Sequence, residues 1–134
     1  MDDLVQWLGA QLDEDERIAR VASSGPWSVD NATYAETIYA VDGTAVVGGG
    51  RWGGEASVFD SAEDALHIAA HDPARVLREI DAKRQALAHF ERIQQLTKRD
   101  IEAYVLAEGA VSKQIQIMAT AYADRPGYRE EWRP

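Results

Sequence analysis

The dipeptide Asp72-Pro73 constrains this chain more than any other feature. It interrupts a stretch that otherwise reads as continuous helix, residues 60–84, D-S-A-E-D-A-L-H-I-A-A-H-D-P-A-R-V-L-R-E-I-D-A-K-R. Proline pushes the residue before it out of helical geometry. At the first position of a helix its missing N–H costs nothing. The stretch therefore predicts a short helix ending near His71, with Asp72 as the N-cap of a second helix that begins at Pro73. Asp60 with Glu63, and Ser61 with Asp64, have the spacing of a capping box at the start of the short helix. Ala65, Leu66, Ile68, Ala69 and Ala70 give it an apolar face.

Residues before and after this break differ in charge. Residues 1–74 carry 14 acids and 3 bases, and residues 75–134 carry 9 acids and 11 bases, against a net charge of -9 for the whole chain. Within residues 75–99 the bases number 7 and the acids 3. A solvated helix facing an acidic remainder accounts for this pattern. A basic helix that meets an acidic partner, such as the N-terminal helix of a second copy, is the sharper alternative. The overall acidity argues against broad nucleic-acid binding.

The length of 134 residues suits one domain with a core of its own. The absence of cysteine excludes a disulfide framework, a thiolate metal site and a cysteine nucleophile. No run approaches the roughly 20 apolar residues of a membrane span. The first residues, M-D-D-L-V-Q-W, lack the basic start of a signal peptide. These features predict a cytoplasmic location.

Along the chain, Leu4, Leu8, Leu12, Ile18 and Ala19 follow helical spacing, with Trp7 beside them, and predict a first helix to about Ala22. Asp13–Arg17 and Glu16–Arg20 are i,i+4 pairs of favourable orientation. Four consecutive carboxylates, Asp13 to Glu16, fan out around a helix and cannot converge on one ion. Gly25 suits the end of that helix, and Pro26 blocks its continuation.

Strands are predicted at residues 27–29, 33–41, 44–47 and 55–59, with Asp42-Gly43 as a hairpin turn. Val76, Leu77, Ile80, Leu87, Phe90, Ile93 and Leu96 form an apolar stripe on the long helix, broken by Lys83 and Arg84. A further helical segment runs from about Asp100 to Tyr122 with Val111, Ile115 and Met118 on one face, and Gly109 is a candidate bend. Tyr128 and Trp132, four residues apart in the tail (residues 123–134), are suited to anchor it on the core.

Few groupings suggest chemistry. His67 and His71 share one helix face and could hold a metal, with Glu63, Asp72 or His89 as a third ligand. The glutamate of the H-E-x-x-H motif is missing between them. Gly48 to Gly53 spells G-x-G-x-x-G, but a strand follows it rather than the helix that a dinucleotide site requires. The loop is better suited to present Arg51 and Trp52, a cation and a flat ring, to a ligand. Arg75, Arg78, Arg84 and Arg92 mark the basic helix as a face for an acidic partner or for nucleic acid. No serine lies in a nucleophile elbow and no carboxylate pair stands out, so no catalytic residue and no cofactor is expected.

Three segments, A-L-H-I-A-A-H-D-P-A-R-V-L-R-E-I-D-A-K-R, S-G-P-W and the tail Y-A-D-R-P-G-Y-R-E-E-W-R-P, resemble a family of small actinobacterial and actinophage proteins defined only as a domain of unknown function. More loosely, G-P-W followed by a small sheet and by Ala69, Ala70, Pro73, Ala74, Val76 and Leu77 resembles the Ead-type accessory proteins of tailed phages. The resemblance implies a cytoplasmic protein of mobile-element origin and brings no known activity.

The expected architecture is α+β in a single domain: an N-terminal helix (residues 1–24), a small antiparallel sheet of three or four strands (25–59), then a short helix and a long helical half (60–122), and a tail. The helical half carries more apolar surface than so small a sheet can cover. It predicts a homodimer, or another protein partner, packed through these helices. The leading functional expectation is a non-enzymatic interaction protein. The alternatives are a metal-binding protein or metal-assisted enzyme using His67 and His71, and a nucleic-acid module using residues 75–99.

Overall fold

The computed structural model describes residues 1–30, 37–48 and 61–134. Helix α1 spans Asp2–Val21, and strands β1 (Ser28–Asp30), β2 (Thr37–Tyr39) and β3 (Ala45–Val47) follow. Helices α2 (Ala62–Ala70), α3 (Pro73–Arg99) and α4 (Ile101–Ala119) come next, and two 3₁₀ turns at Thr120–Tyr122 and Glu130–Trp132 end the chain. The fold is α+β, with a three-stranded antiparallel sheet and a long helical C-terminal half. Two compact units are formed, one by Met1–Glu14 with Ile80–Pro134 and the other by Asp15–Glu79.

In the unit of residues 15–79 the sheet order is β1-β2-β3. Val29 pairs with Ile38, and Ile38 pairs with Val47. The turn at Asp42-Gly43 forms as expected, because Gly43 takes a φ of +85° that side chains rarely tolerate. The Thr44 N–H donates to the Asp42 carboxylate at 2.9 Å. Hydrogen bonds from the Thr44 side chain and backbone hold the Asp42 carboxyl below its ordinary pKa. Helix α2 lies against β1 and β2. It buries Ala65 and Ala69 but leaves Leu66 and Ile68 exposed, so its buried face is narrower than its apolar composition suggests. On α1, Ile18 is 52% exposed where burial was expected, while Ala19 is buried. The fourth predicted strand, residues 55–59, and Asp60 lie outside the described residues.

The break at Asp72-Pro73 organises this unit. Asp72 is buried, and one of its oxygens accepts the Arg75 N–H at 2.8 Å, an N-cap on the third helical residue. Its other oxygen accepts the Trp27 N–H at 2.8 Å. Gly25 is required by space here. A Cβ on it would lie 2.8 Å from the Ala74 Cβ and 3.0 Å from the Asp72 Cγ. Its φ is not positive, so close approach to the start of α3 explains it better than the helix-ending role.

In the other unit Leu4, Leu8 and Leu12 of α1 and Phe90 of α3 are fully buried, and Ile80 and Leu87 of α3 are buried as well. The two helices run antiparallel, because Asp13 meets Arg84 at 2.7 Å and Asp2 meets Gln94 at 3.1 Å. At Asp100 the chain turns. Its N–H closes α3 on the Leu96 carbonyl, and its side chain accepts the Ala103 N–H to start α4. Helix α4 passes through Gly109 without interruption and runs back, bringing the Tyr122 hydroxyl within 2.7 Å of Lys83 Nζ. The tail returns to α1. Trp7, Tyr128 and Trp132 form a ring cluster with centroid separations of 5.4–5.8 Å. The Trp7 indole N–H donates to the Pro126 carbonyl at 3.0 Å.

Candidate interaction surface

The expected site residues fall in three places. Arg51 and Trp52 lie outside the described residues. His67 and His71 lie side by side at the end of α2 with ring centroids 4.2 Å apart. Both are exposed. His71 Nδ1 lies 2.7 Å from the His67 carbonyl and donates to it, so only Nε2 is left for a ligand. Asp72, a suggested third ligand, already uses both oxygens within the fold. No group of three or more His, Asp or Glu side chains that could hold a metal ion occurs among the described residues.

The basic residues of α3 are drawn into different contacts. Arg75 pairs with Glu79 at 2.8 Å and also reaches the Ala70 carbonyl. Arg84 pairs with Asp13 of the same chain. Arg78 and Arg92 are exposed. Lys83 and Arg84 interrupt the apolar stripe for a reason that the sequence pattern does not show. Lys83 lies over the Tyr122 ring at 4.9 Å, and Arg125 over the same ring at 4.7 Å. These contacts, together with the Lys83 hydrogen bond to the Tyr122 hydroxyl, hold the end of α4 to α3.

An open cleft of about 440 Å³ runs between α1 and the tail, lined by Asp3, Gln6, Trp7, Arg129 and Trp132 among others. Its guanidinium, Arg129, is shared between Asp3 at 3.1 Å and Glu131 at 3.6 Å, and lies over the Trp132 ring. The cleft is therefore internally satisfied.

The far part of α3 and the near part of α4 behave otherwise. No residue from 91 to 114 is buried. Yet Ile101 is 65% exposed, Val105 48% and Leu106 86%. Single exposed apolar side chains are normal on a protein surface. Here three lie within two turns of one helix. Ile101 and Val105 continue the side of α4 that buries Ile115 and Ala119 further along, whereas Leu106 projects from a different side. Helix α4 is thus apolar on more than one side, the composition of a helix covered on more than one side. Sequence periodicity could locate the inner stripe, but exposure was needed to reveal that its first residues, Ile101 and Val105, and Leu106 beside them have no cover.

These features define a small α+β protein whose unsatisfied surface is a helical arm. The chain belongs to the Family of unknown function (DUF6221), whose model matches residues 1–134. No curated protein and no solved structure matches it. No helix among the described residues is long and apolar enough to cross a membrane.

Proposed function

We propose that this protein acts without catalysis, by associating with another polypeptide chain through the arm formed by the end of α3 and the start of α4. The observation that carries the reading is the arm itself, where residues 91–114 include no buried residue and Ile101, Val105 and Leu106 stand in solvent. Covering one such side chain is worth about 1.5–3 kcal/mol, so a partner offering an apolar helical face gains substantially here. The charge of the arm suits such contact. Residues 91–114 carry 4 acids and 4 bases, in a chain whose net charge is -9. The arm is therefore electrically neutral overall, and it adds no net repulsion against an acidic partner. The composition, acidic and without cysteine, supports a cytoplasmic setting. The likeness to Ead-type proteins supports an accessory role in a mobile element.

The test uses the absence of cysteine from the chain. Leu106→Cys and Arg78→Cys each introduce a single thiol at an exposed position. In the cells that make the protein, the thiol at position 106 is expected to react with a permeant maleimide several-fold more slowly than the thiol at position 78. Equal reactivity means that nothing covers the arm, and the interaction reading fails.

A further inference from the structure

We infer that the chain seated on the arm is a second copy of this protein, packed antiparallel along the outer stripe of α4. The inference rests on the interaction reading and names its partner. Glu102, Leu106, Gly109, Lys113 and Ile117 follow one another at spacings of four, three, four and four residues, which places them on one stripe of a helix. Ile115 and Ala119, the buried positions, lie on the opposite side. Leu106, within the segment that pairs, is 86% exposed, and Ile117, beyond it, is 48% exposed.

Two features make this stripe complementary to itself. The first is shape. Gly109 sits in mid-helix, where glycine is unfavourable, and a Cβ on it would meet nothing within 4 Å. Neither its φ nor a close neighbour in the chain calls for glycine there. With Ala110 it forms a shallow hollow one turn from the projecting Leu106. A two-fold axis between Ala107 and Glu108 sets Leu106 of each copy over Gly109 and Ala110 of the other. The second feature is charge. The same axis sets Glu102 of each copy opposite Lys113 of the other, giving two equivalent ion pairs. Neither side chain has a charged partner within its own chain among the described residues. A parallel arrangement would instead oppose like charges along the stripe.

One helix pair buries less than the ~800 Å² per partner of a standard interface. The association is accordingly a reversible monomer–dimer equilibrium. Sedimentation velocity on the full, untagged chain over a range of concentrations tests it. The wild-type protein is expected to shift from monomer to dimer as concentration rises. Gly109→Leu fills the hollow and is expected to be monomeric, while its thermal unfolding temperature stays the same or rises. Glu102→Lys and Lys113→Glu are each expected to weaken the dimer about tenfold. The chain carrying both exchanges is expected to recover most of that loss, which a merely structural role for either residue would not produce.

A dimer indifferent to Gly109→Leu and to the charge exchanges overturns the proposed packing. A protein monomeric at every concentration overturns the second copy as partner. If the thiol at position 106 is nevertheless shielded in cells, another chain covers the arm and the interaction reading stands. If that thiol reacts freely, both fall.

Discussion

The Trp27 N–H donates to the Asp72 carboxylate across 45 residues of sequence, at 2.8 Å, while the same carboxylate caps α3 through the Arg75 N–H. One buried side chain thus fixes both the start of the longest helix and the approach to the first strand. Asp72→Ala removes the cap, worth about 1 kcal/mol, and leaves the part-buried Trp27 N–H without its acceptor, which costs up to about 3 kcal/mol. The expected loss in urea unfolding is ~2–4 kcal/mol. Asp72→Asn keeps an oxygen for one of the two donors and is expected to lose about half as much.

Gly25 permits that tie. Its missing Cβ would press within 2.8 Å of Ala74 and 3.0 Å of Asp72. Gly25→Ala is expected to cost ~1–3 kcal/mol by overpacking, despite the lower chain entropy of alanine. A variant as stable as the wild type in the same urea series would show that the loop can move away without loss.

The aromatic cluster separates two kinds of buried group. Trp132 is 7% exposed and packs on Trp7, so Trp132→Ala is expected to cost ~3 kcal/mol or more. The Tyr128 hydroxyl, by contrast, is buried with no hydrogen-bond partner among the described residues. Tyr128→Phe removes a desolvated polar group and leaves the ring contacts in place. Its expected effect is neutral, or a gain of up to ~1 kcal/mol. Thermal unfolding of the two variants side by side checks both signs.

Much of this architecture could be read from the residues. Asp72-Pro73 gave the helix boundary because proline acts on its immediate neighbour, and Asp42-Gly43 gave the turn because a positive φ selects glycine. Leu4, Leu8 and Leu12 gave the buried face of α1 by simple periodicity. Long-range ties were not legible. Nothing local in Lys83 announces that it will sit over Tyr122, and nothing in Gly25 announces that Ala74 will come so close. Exposure was equally hidden. Ile18 and Leu66 continue apolar patterns yet stand in solvent, because periodicity reports which residues could share a face and not how much of that face is covered. The arm on α4 escaped detail for the same reason.

The hairpin turn carries a pH dependence of known sign. Hydrogen bonds from Thr44 lower the Asp42 pKa in the folded chain. The unfolded chain therefore binds this proton more readily. The contribution of Asp42 to stability is present above its unfolded pKa and is lost as pH falls through the lower folded value. A carboxyl-carbon NMR titration is expected to place Asp42 below an exposed reference aspartate. In Thr44→Val, which keeps the N–H but removes the hydroxyl, the midpoint is expected to move up toward the ordinary value. No movement would assign the shift to the backbone donor alone.

Gly109 offers the sharpest separation between stability of the fold and use of the surface. In an exposed helix interior, alanine is favoured over glycine by about 0.8–1 kcal/mol. A Cβ at this position meets nothing within 4 Å. Gly109→Ala is therefore expected to raise the stability of the monomer by nearly that amount in urea unfolding at low concentration. The same methyl makes the hollow beneath Leu106 of a second copy shallower. The dimer, measured by sedimentation on the same sample, is expected to weaken modestly where Gly109→Leu abolishes it. A variant that stabilises the monomer and leaves association untouched would mean that the glycine answers to something other than a close neighbouring helix.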